Sequence, residues 1–189
     1  MPAARESLLD AAFAALDRRP WPRVKMSEVA AAAGVSRQTL YNEFGSKEGL
    51  ARALVRREAD AYLRGVERAL AGVSGAAAPR ERLAAAAVWT VRSATENPLV
   101  RAVLTGSWNE RLPTSVRTTP PGEPEPLPAP GELIGEARDR AVRLLEGDWP
   151  PGAVELPLAC EVVARLALSY VVASAPVADV ARMVRTVLA

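Results

Sequence analysis

The chain has 189 residues, of which 24 are lysine or arginine, 22 are aspartate or glutamate, and none is histidine. Its 24% of charged and 49% of apolar residues are typical of one or two globular domains rather than of a disordered chain. The lack of histidine excludes the serine–histidine and cysteine–histidine catalytic arrangements and removes the commonest zinc ligand. We therefore expect neither an enzyme nor a protein that carries a metal or another cofactor.

The sequence also indicates where in the cell the protein is expected. No apolar stretch reaches the roughly 20 residues that cross a bilayer, and residues 1–16 lack the continuous apolar core of a secretory signal. We therefore expect a cytoplasmic protein without a membrane partner. The single cysteine, Cys160, lies among apolar neighbours and is interpreted as a small buried hydrophobic residue.

Apolar residues recur at intervals of three and four, and no window shows the sustained alternation that is typical of strands. The sequence therefore predicts an all-α fold of about nine helices. Residues 106–131 hold seven prolines in 26 positions, which predicts an extended connection rather than a helix. The predicted helices span about residues 5–18, 27–33, 37–44, 46–71, 80–97, 98–104, 132–146, 154–174 and 176–188.

Residues 26–50 carry the pattern that says most about function. Ala30 is small where two helices must approach, Gly34 can take the left-handed conformation that ends a helix, and Val35 fills the corner. Ser36 can accept a hydrogen bond from the free N–H groups of the next helix. This pattern is typical of a helix-turn-helix.

The second helix of this unit is predicted to turn Leu40 and Phe44 inward, against Val29, Leu8 and Leu16. Its outward face would then display an arginine, two amides and two hydroxyls, at Arg37, Gln38, Thr39, Tyr41 and Asn42. Arginine can pair with guanine, glutamine or asparagine with adenine, and the threonine methyl with the thymine methyl. The face therefore predicts a surface that reads DNA bases.

Two side chains are expected to contact phosphate instead of bases. These are Tyr41 and Lys47, the latter just inside the next helix, where free backbone N–H groups favour an anion. The alternative is a three-helix core with a merely solvated polar face. That reading is disfavoured because solvated faces usually carry Glu/Lys pairs, whereas this face has Glu43 as its only acid.

The run Ala30-x3-Gly34-Val-Ser-x-x-Thr39-Leu-Tyr41-x-x-Phe44-x-x-Lys47-x-x-Leu50 resembles the TetR family of bacterial transcriptional regulators. The resemblance covers about residues 5–55 at motif level. It implies a homodimer whose helix-turn-helix units dock in successive major grooves of a palindromic double-stranded operator. It also implies a DNA-binding domain over 1–48 and an effector-binding and dimerisation domain over 49–189.

Family members often have threonine at the second-helix cap, where this chain has Lys25, so the cap is expected to shift to Ser27 and Lys25 to reach a phosphate. The predicted DNA-binding residues are Lys25, Ser27, Ser36, Arg37, Gln38, Thr39, Tyr41, Asn42 and Lys47.

The last two predicted helices carry more apolar surface than one core needs. By the resemblance they form a four-helix bundle with a second copy of the chain. The alternative is that both stripes face only their own subunit. The predicted interface residues are Leu156, Val163, Leu166, Tyr170, Val177, Val180 and Val184.

Apolar and aromatic residues of the C-terminal half are candidates for the wall of an effector cavity, or else ordinary core residues. Residues 97–106 and their proline-rich sequel are similar to actinobacterial TetR regulators linked to alkane or fatty-acid metabolism, which implies a hydrophobic effector. The predicted effector-lining residues are Tyr62, Trp89, Leu104, Trp108 and Trp149.

Together these features predict a repressor that a small hydrophobic effector releases from a palindromic operator, although activation is also possible. The alternative is a DNA-binding protein without a small-molecule effector, acting as an architectural or protein-interaction module. A helical enzyme is disfavoured because the sequence has no histidine, no activated nucleophile and no glycine loop that could hold a phosphate.

Overall fold

The computed structural model describes residues 2–72, 78–113 and 127–189. Within these ranges the chain forms nine α-helices, two short 3-10 helices and no strand, which confirms the predicted all-α fold. The helices are α1 (Pro2–Arg18), α2 (Met26–Ala32), α3 (Arg37–Phe44), α4 (Lys47–Ala71), α5 (Pro79–Glu96), α6 (Pro98–Thr105), α7 (Pro130–Leu145), α8 (Leu156–Val172) and α9 (Val177–Val187).

Proline sets the beginning of three helices. Pro79, Pro98 and Pro130 are the first residues of α5, α6 and α7, where the missing N–H costs nothing and the fixed φ suits a helix. The predicted extended connection over 106–131 is therefore wrong at its end, because α7 already begins at Pro130. Its central part, residues 114–126, lies outside the described residues.

The chain divides into two compact units. Unit 1 holds the described residues of Met1–Glu58 and Trp108–Leu127, and unit 2 holds those of Ala59–Ser107 and Pro128–Ala189. The helix α4 begins in unit 1 and continues into unit 2. Among the described residues, no helix combines the length and the apolar character that crossing a membrane requires.

Unit 1 is built on α1, α2 and α3, which pack on one another. All five residues of the predicted inward cluster are buried, so this prediction is confirmed. They are Leu8, Leu16, Val29, Leu40 and Phe44. Arg5 of α1 fastens the end of α3: its Nη1 donates to the Glu43 carbonyl oxygen, and its guanidinium lies 4.7 Å from the Phe44 ring centre.

In unit 2, α5 packs against α6, α8 and α9, and α8 also packs against α7. A glycine of α4 makes room for the half-buried side chain of Trp89. Gly65 of α4 faces the indole of Trp89, whose Nε1 donates to the Tyr62 carbonyl oxygen at 3.1 Å. A Cβ on residue 65 would overlap the indole ring. The close approach of α4 and α5 therefore depends on glycine at this position.

We expect Gly65→Ala to lower the free energy of unfolding by about 1–3 kcal/mol, because overpacking outweighs the helix propensity gained. Gly135→Ala is the matched control, since a Cβ there meets no atom within 4 Å. That change should raise stability by about 0.5–1 kcal/mol. Urea unfolding followed by circular dichroism measures both. Midpoints that shift in the same direction would contradict the packing described for Gly65.

Candidate nucleic-acid interface

The turn between α2 and α3 is a complete Schellman motif. Gly34 has a φ of 69°, in the left-handed region that only glycine adopts without strain. The Val35 N–H donates to the Ala30 carbonyl at 3.0 Å, and the Gly34 N–H donates to the Ala31 carbonyl at 3.1 Å. These bonds satisfy the last carbonyls of α2 and set the direction in which α3 leaves. Gly34 thus ends α2 in the left-handed conformation that the sequence predicted, and the Ala30 carbonyl accepts one of the two hydrogen bonds that close the turn.

Ser36 caps α3 as predicted. Its Oγ accepts from the Thr39 N–H at 3.0 Å and lies 2.9 Å from the Thr39 Oγ1. The hydroxyls of these two predicted DNA-binding residues are therefore already engaged with one another. Both remain at the N-terminal end of α3, where the helix dipole favours a phosphate.

The outward face of α3 is exposed. Tyr41 is 47% exposed, Arg37, Gln38 and Asn42 are exposed as well, and Thr39 is half-buried. Arg37 forms no hydrogen bond or ion pair with any residue that the structure describes, so its guanidinium is available to a ligand. Gln38 Nε2 donates to Asn42 Oδ1 at 2.8 Å, which joins the two amides along one turn of the helix.

Lys47, predicted to contact a phosphate, is held inside unit 1. Its Nζ donates to the Pro22 carbonyl at 3.1 Å and lies 5.6 Å from the centre of the Trp21 ring. Partial burial lowers the pKa of Lys47, with Glu48 opposing that shift. In this arrangement Lys47 fastens the turn between α1 and α2 to the start of α4. A phosphate contact would have to share the ammonium with Pro22.

The predictions at the start of α2 are only partly met. The helix begins at Met26, with Lys25 as an N-cap residue whose side chain makes no capping hydrogen bond. The expected shift of the cap to Ser27 is wrong, because Ser27 is already the second residue of the helix and is half-buried. Lys25 is exposed and pairs loosely with Glu28 at 3.9 Å.

Sequence reasoning missed the role of Trp21. The Trp21 side chain is buried, and its ring lies near the Lys47 ammonium. The Trp21 backbone N–H donates to the Arg111 carbonyl at 2.8 Å. Residues 109–112 form a turn in which the Arg111 N–H donates to Asn109 Oδ1 at 3.0 Å. Residues 108–113 thereby belong to unit 1. An aromatic residue between two helix-breaking prolines was the available signal.

The predicted effector-lining residues are not brought together. A cavity of about 30 Å³ lies in unit 2 between α4, α5, α7 and α8, and Tyr62 lines it. Trp89 packs on Gly65, Leu104 is fully buried in α6, and Trp149 donates its Nε1 to the Val154 carbonyl at 2.8 Å. Trp108 belongs to unit 1. Aromatic identity alone could not reveal these separate positions.

Alanine is the commonest residue of the cavity wall, which also holds a few polar groups. Its alanines are Ala86, Ala87, Ala137, Ala141, Ala164 and Ala167. Tyr62 Oη lies 3.2 Å from Thr90 Oγ1, which itself donates to the Ala86 carbonyl at 3.0 Å. Burial raises the pKa of Tyr62 to about 12, so the phenol is neutral at physiological pH. The cavity is therefore small and largely apolar, although Arg138 also lines it.

Cys160 also lines this cavity, and burial raises the pKa of its thiol to about 12 although Arg138 opposes the shift. The thiolate is the reactive form. At pH 8 we expect iodoacetamide to alkylate the folded protein at least about 100-fold more slowly than the urea-unfolded chain. Mass spectrometry of timed samples measures both rates. Equal rates would show that the thiol is accessible and ionised in the fold.

Several of the residues predicted to form the dimer interface are not exposed. Leu156, Val163, Val180 and Val184 are buried within the chain, because α8 and α9 turn these residues toward α5 and α7. Leu166, Tyr170 and Val177 are half-buried. A different apolar set faces outward on the same two helices. It comprises Leu158, Val162, Val172, Met183 and Val187.

The fold and this site define a helix-turn-helix protein with a separate helical unit. The sequence profile of the family described as "Bacterial regulatory proteins, tetR family" matches residues 8–54. This segment therefore carries the TetR-type DNA-binding pattern, as its motif predicted. The similar proteins described next are transcriptional regulators rather than enzymes.

The helix-turn-helix regulator AlkX of Mycobacterium tuberculosis is 48% identical over 66 residues, which are 35% of this chain and 31% of that protein. An uncharacterised helix-turn-helix regulator of the same organism is 37% identical over 102 residues, covering 54% of this chain and 49% of the relative. The chain therefore spans 31% and 49% of the length of these two curated relatives.

Solved structures match over nearly the whole chain. The TetR family repressor AlkX from Dietzia sp., implicated in biodegradation of n-alkanes, is 26% identical with a TM-score of 0.61, and the match covers 96% of this chain and 93% of that one. FadR from Bacillus subtilis, solved with stearoyl-CoA, is 16% identical with a TM-score of 0.57 and coverages of 97% and 96%. The second match bears on the fold alone.

Proposed function

We propose that the protein is a sequence-specific DNA-binding transcriptional regulator that acts as a repressor. The observation that carries this proposal is the outward face of α3, which presents an unpaired guanidinium and two amides on a helix fixed at both ends. Ser36 caps its start, and Leu40 and Phe44 anchor it in the core. Such a helix fits the major groove, where those groups can pair with base edges. The predicted domains, 1–48 and 49–189, are retained in this proposal.

A homodimer on a palindromic operator is part of the proposal. It is supported by the apolar residues exposed on α8 and α9, because exposed apolar patches of this kind mark interaction sites. A second copy would cover the same face of both subunits around a twofold axis. Two linked reading heads bind more tightly than either head alone.

We expect Leu158→Glu to shift the protein from dimer to monomer, because the change places a charge in the proposed interface. Leu158 is 54% exposed on α8, and Val154, which is 50% exposed before that helix begins, offers a matched control. Val154→Glu should leave the dimer intact. Sedimentation equilibrium over a range of concentrations measures both. If Leu158→Glu remains dimeric, the interface lies elsewhere.

For the effector we propose a small apolar molecule that enters the alanine-lined cavity beside Tyr62. The n-alkane link of the Dietzia repressor supports the apolar class, as do the alanine and valine side chains that line most of the wall beside Arg138. The cavity of about 30 Å³ has room for only a few water molecules, so a larger effector must bind an arrangement in which the helices have moved apart. Only this difference in affinity between arrangements can release DNA.

The second candidate is a DNA-binding protein without a small-molecule effector. The small size of the same cavity favours it. The two candidate functions differ in how the affinity for DNA responds to apolar ligands. An effector-controlled repressor loses DNA affinity when apolar ligands are added, whereas the alternative retains the same affinity.

The experiment that tests the proposal is selection of bound sequences from random duplex DNA with the purified full-length protein at a fixed, stated salt concentration. Salt must be fixed because phosphate-driven affinity falls steeply with ionic strength. We expect enrichment of one palindromic sequence. Binding without enrichment, which disappears as salt is raised, would reject sequence-specific recognition.

A further inference from the structure

Gln38 and Asn42 form one linked unit on the exposed face of α3. Gln38 Nε2 donates to Asn42 Oδ1 at 2.8 Å, and the two residues are four positions apart, so they are neighbours on the helix surface. Both side chains are exposed. The bond has a consequence for DNA recognition, because it decides which atoms of the two amides remain available.

Each amide has one acceptor oxygen and one donor nitrogen with two hydrogens. The bond uses one of the two Gln38 hydrogens and one of the two lone pairs of the Asn42 oxygen, so Gln38 Oε1 and Asn42 Nδ2 are the two groups that stay wholly free. Gln38 Oε1 remains as an acceptor, and Asn42 Nδ2 remains as a donor. Exchanging the roles of the two amides would leave the opposite pair, which is again one acceptor and one donor. Whichever amide donates in the bond between them, the linked amides thus present one acceptor and one donor side by side, which is called the mixed edge below.

The four bases differ in how well they match such an edge in the major groove. Adenine offers the N6 amino group as a donor beside N7 as an acceptor, whereas guanine offers two acceptors at N7 and O6. Thymine offers one acceptor beside a methyl group, and cytosine offers one donor. Adenine is therefore the single base whose edge satisfies both free amide groups.

We propose that Gln38 and Asn42 act together as one reading element that selects an adenine in each operator half-site. This rests on the proposed function, in which α3 enters the major groove. The hydrogen bond holds the two side chains together before DNA arrives, so less rotamer entropy is lost on binding. A phosphate is a poor partner for the unit, because it offers acceptors only and would leave Gln38 Oε1 unsatisfied.

The test uses the full-length protein and the duplex selected by it. Binding is measured by fluorescence anisotropy on duplexes that carry each of the four base pairs at every half-site position in turn. We expect one adenine at which any other base weakens wild-type binding by about tenfold or more. Gln38→Ala should reduce that preference to less than about threefold and leave the other positions unchanged.

Asn42→Asp provides a change of specificity rather than a loss. The aspartate can still accept from Gln38 Nε2, but its second oxygen is an acceptor, so the edge then holds two acceptors. Such an edge matches the N4 amino group of cytosine. At the same position we expect the preferred base to change from adenine to cytosine. Ratios between base pairs are compared, since the added negative charge weakens binding to every duplex.

Arg92→Ala, at an exposed residue of α5, serves as the control and should retain the wild-type preference at every position. A wild-type preference for guanine at the position that responds to both variants would overturn the proposal. So would effects of the two variants at different positions, because the amides would then read bases separately. If the wild-type protein selects no sequence at all, the proposed function itself fails. If the wild-type protein selects a sequence and both variants keep its base preference at every position, only the joint reading by Gln38 and Asn42 is overturned.

Discussion

Arg37→Ala is expected to weaken binding to the selected duplex by about tenfold or more, with no change in the stability of the fold. Arg37 is exposed on α3 and forms no hydrogen bond or ion pair with the described residues that it could lose. A guanidinium in the major groove can form two hydrogen bonds with guanine O6 and N7, and such a pair discriminates by about 1–3 kcal/mol. Anisotropy titrations at fixed salt measure the change.

The control for Arg37→Ala must remove the same charge away from α3. Arg92→Ala on α5 meets this need and should change affinity by less than about twofold. The selected sequence should also change, because Arg37→Ala removes a base contact rather than a general attraction to phosphate. If both variants lose affinity equally on every duplex, Arg37 acts through charge alone.

Arg82→Met is expected to lower the free energy of unfolding by about 3–5 kcal/mol. Arg82 is buried in unit 2, and its guanidinium joins three elements. Nε donates to the Leu70 carbonyl at 2.8 Å, Nη2 to the Leu144 carbonyl at 2.9 Å, and Nη1 to Asp148 Oδ2 at 2.6 Å. It therefore satisfies carbonyls at the C-terminal ends of α4 and α7 at once. Methionine fills similar space but leaves both carbonyls without a donor.

Asp148→Asn separates the contribution of the Arg82–Asp148 ion pair from that of the two carbonyl hydrogen bonds of Arg82. The Asp148 side chain is 59% exposed, so water can replace its contact and screens its charge. We expect a loss below about 1 kcal/mol for this variant. Urea unfolding of both variants measures the difference. A larger loss for Asp148→Asn than for Arg82→Met would contradict the view that the two carbonyl contacts dominate.

Local patterns made the DNA-binding unit predictable. A left-handed glycine at Gly34, a capping serine at Ser36 and apolar residues at Leu40 and Phe44 each have a steric or hydrogen-bonding cause that acts within a few residues. The boundaries of α3 and the exposed face follow from those causes alone. The errors at α2 and α7 were of the same local kind, since Ser27 and Pro130 were each assigned to the wrong side of a helix start.

Contacts between distant parts of the chain could not be predicted in this way. The apolar periodicity of α9 was correct, yet it does not say whether Val180 faces its own subunit or another. Lys47 lies at a helix start that suits an anion, but a carbonyl and a ring 25 and 26 residues earlier in the chain hold its ammonium, at Pro22 and Trp21. The positions of Trp89 and Trp149 were likewise decided by packing that no spacing reveals.

In the proposed function, the specificity for DNA comes from the exposed face of α3 and not from the net charge of the chain. The chain carries a net charge of +2, so general attraction to phosphate supplies little discrimination. Specificity must then come from side chains that pair with base edges. Arg37 and the linked amides of Gln38 and Asn42 are the exposed groups on α3 that are best suited to this task.

The measurement that tests this central claim most directly is a second selection from random duplex DNA, made with a triple variant that carries Arg37→Ala, Gln38→Ala and Asn42→Ala. All three residues are exposed, so the variant should fold as the wild-type protein does, which thermal unfolding verifies. We predict that wild type enriches a palindrome, whereas the triple variant enriches none and retains only salt-sensitive binding. Enrichment of the same palindrome by the triple variant would show that another surface reads the operator.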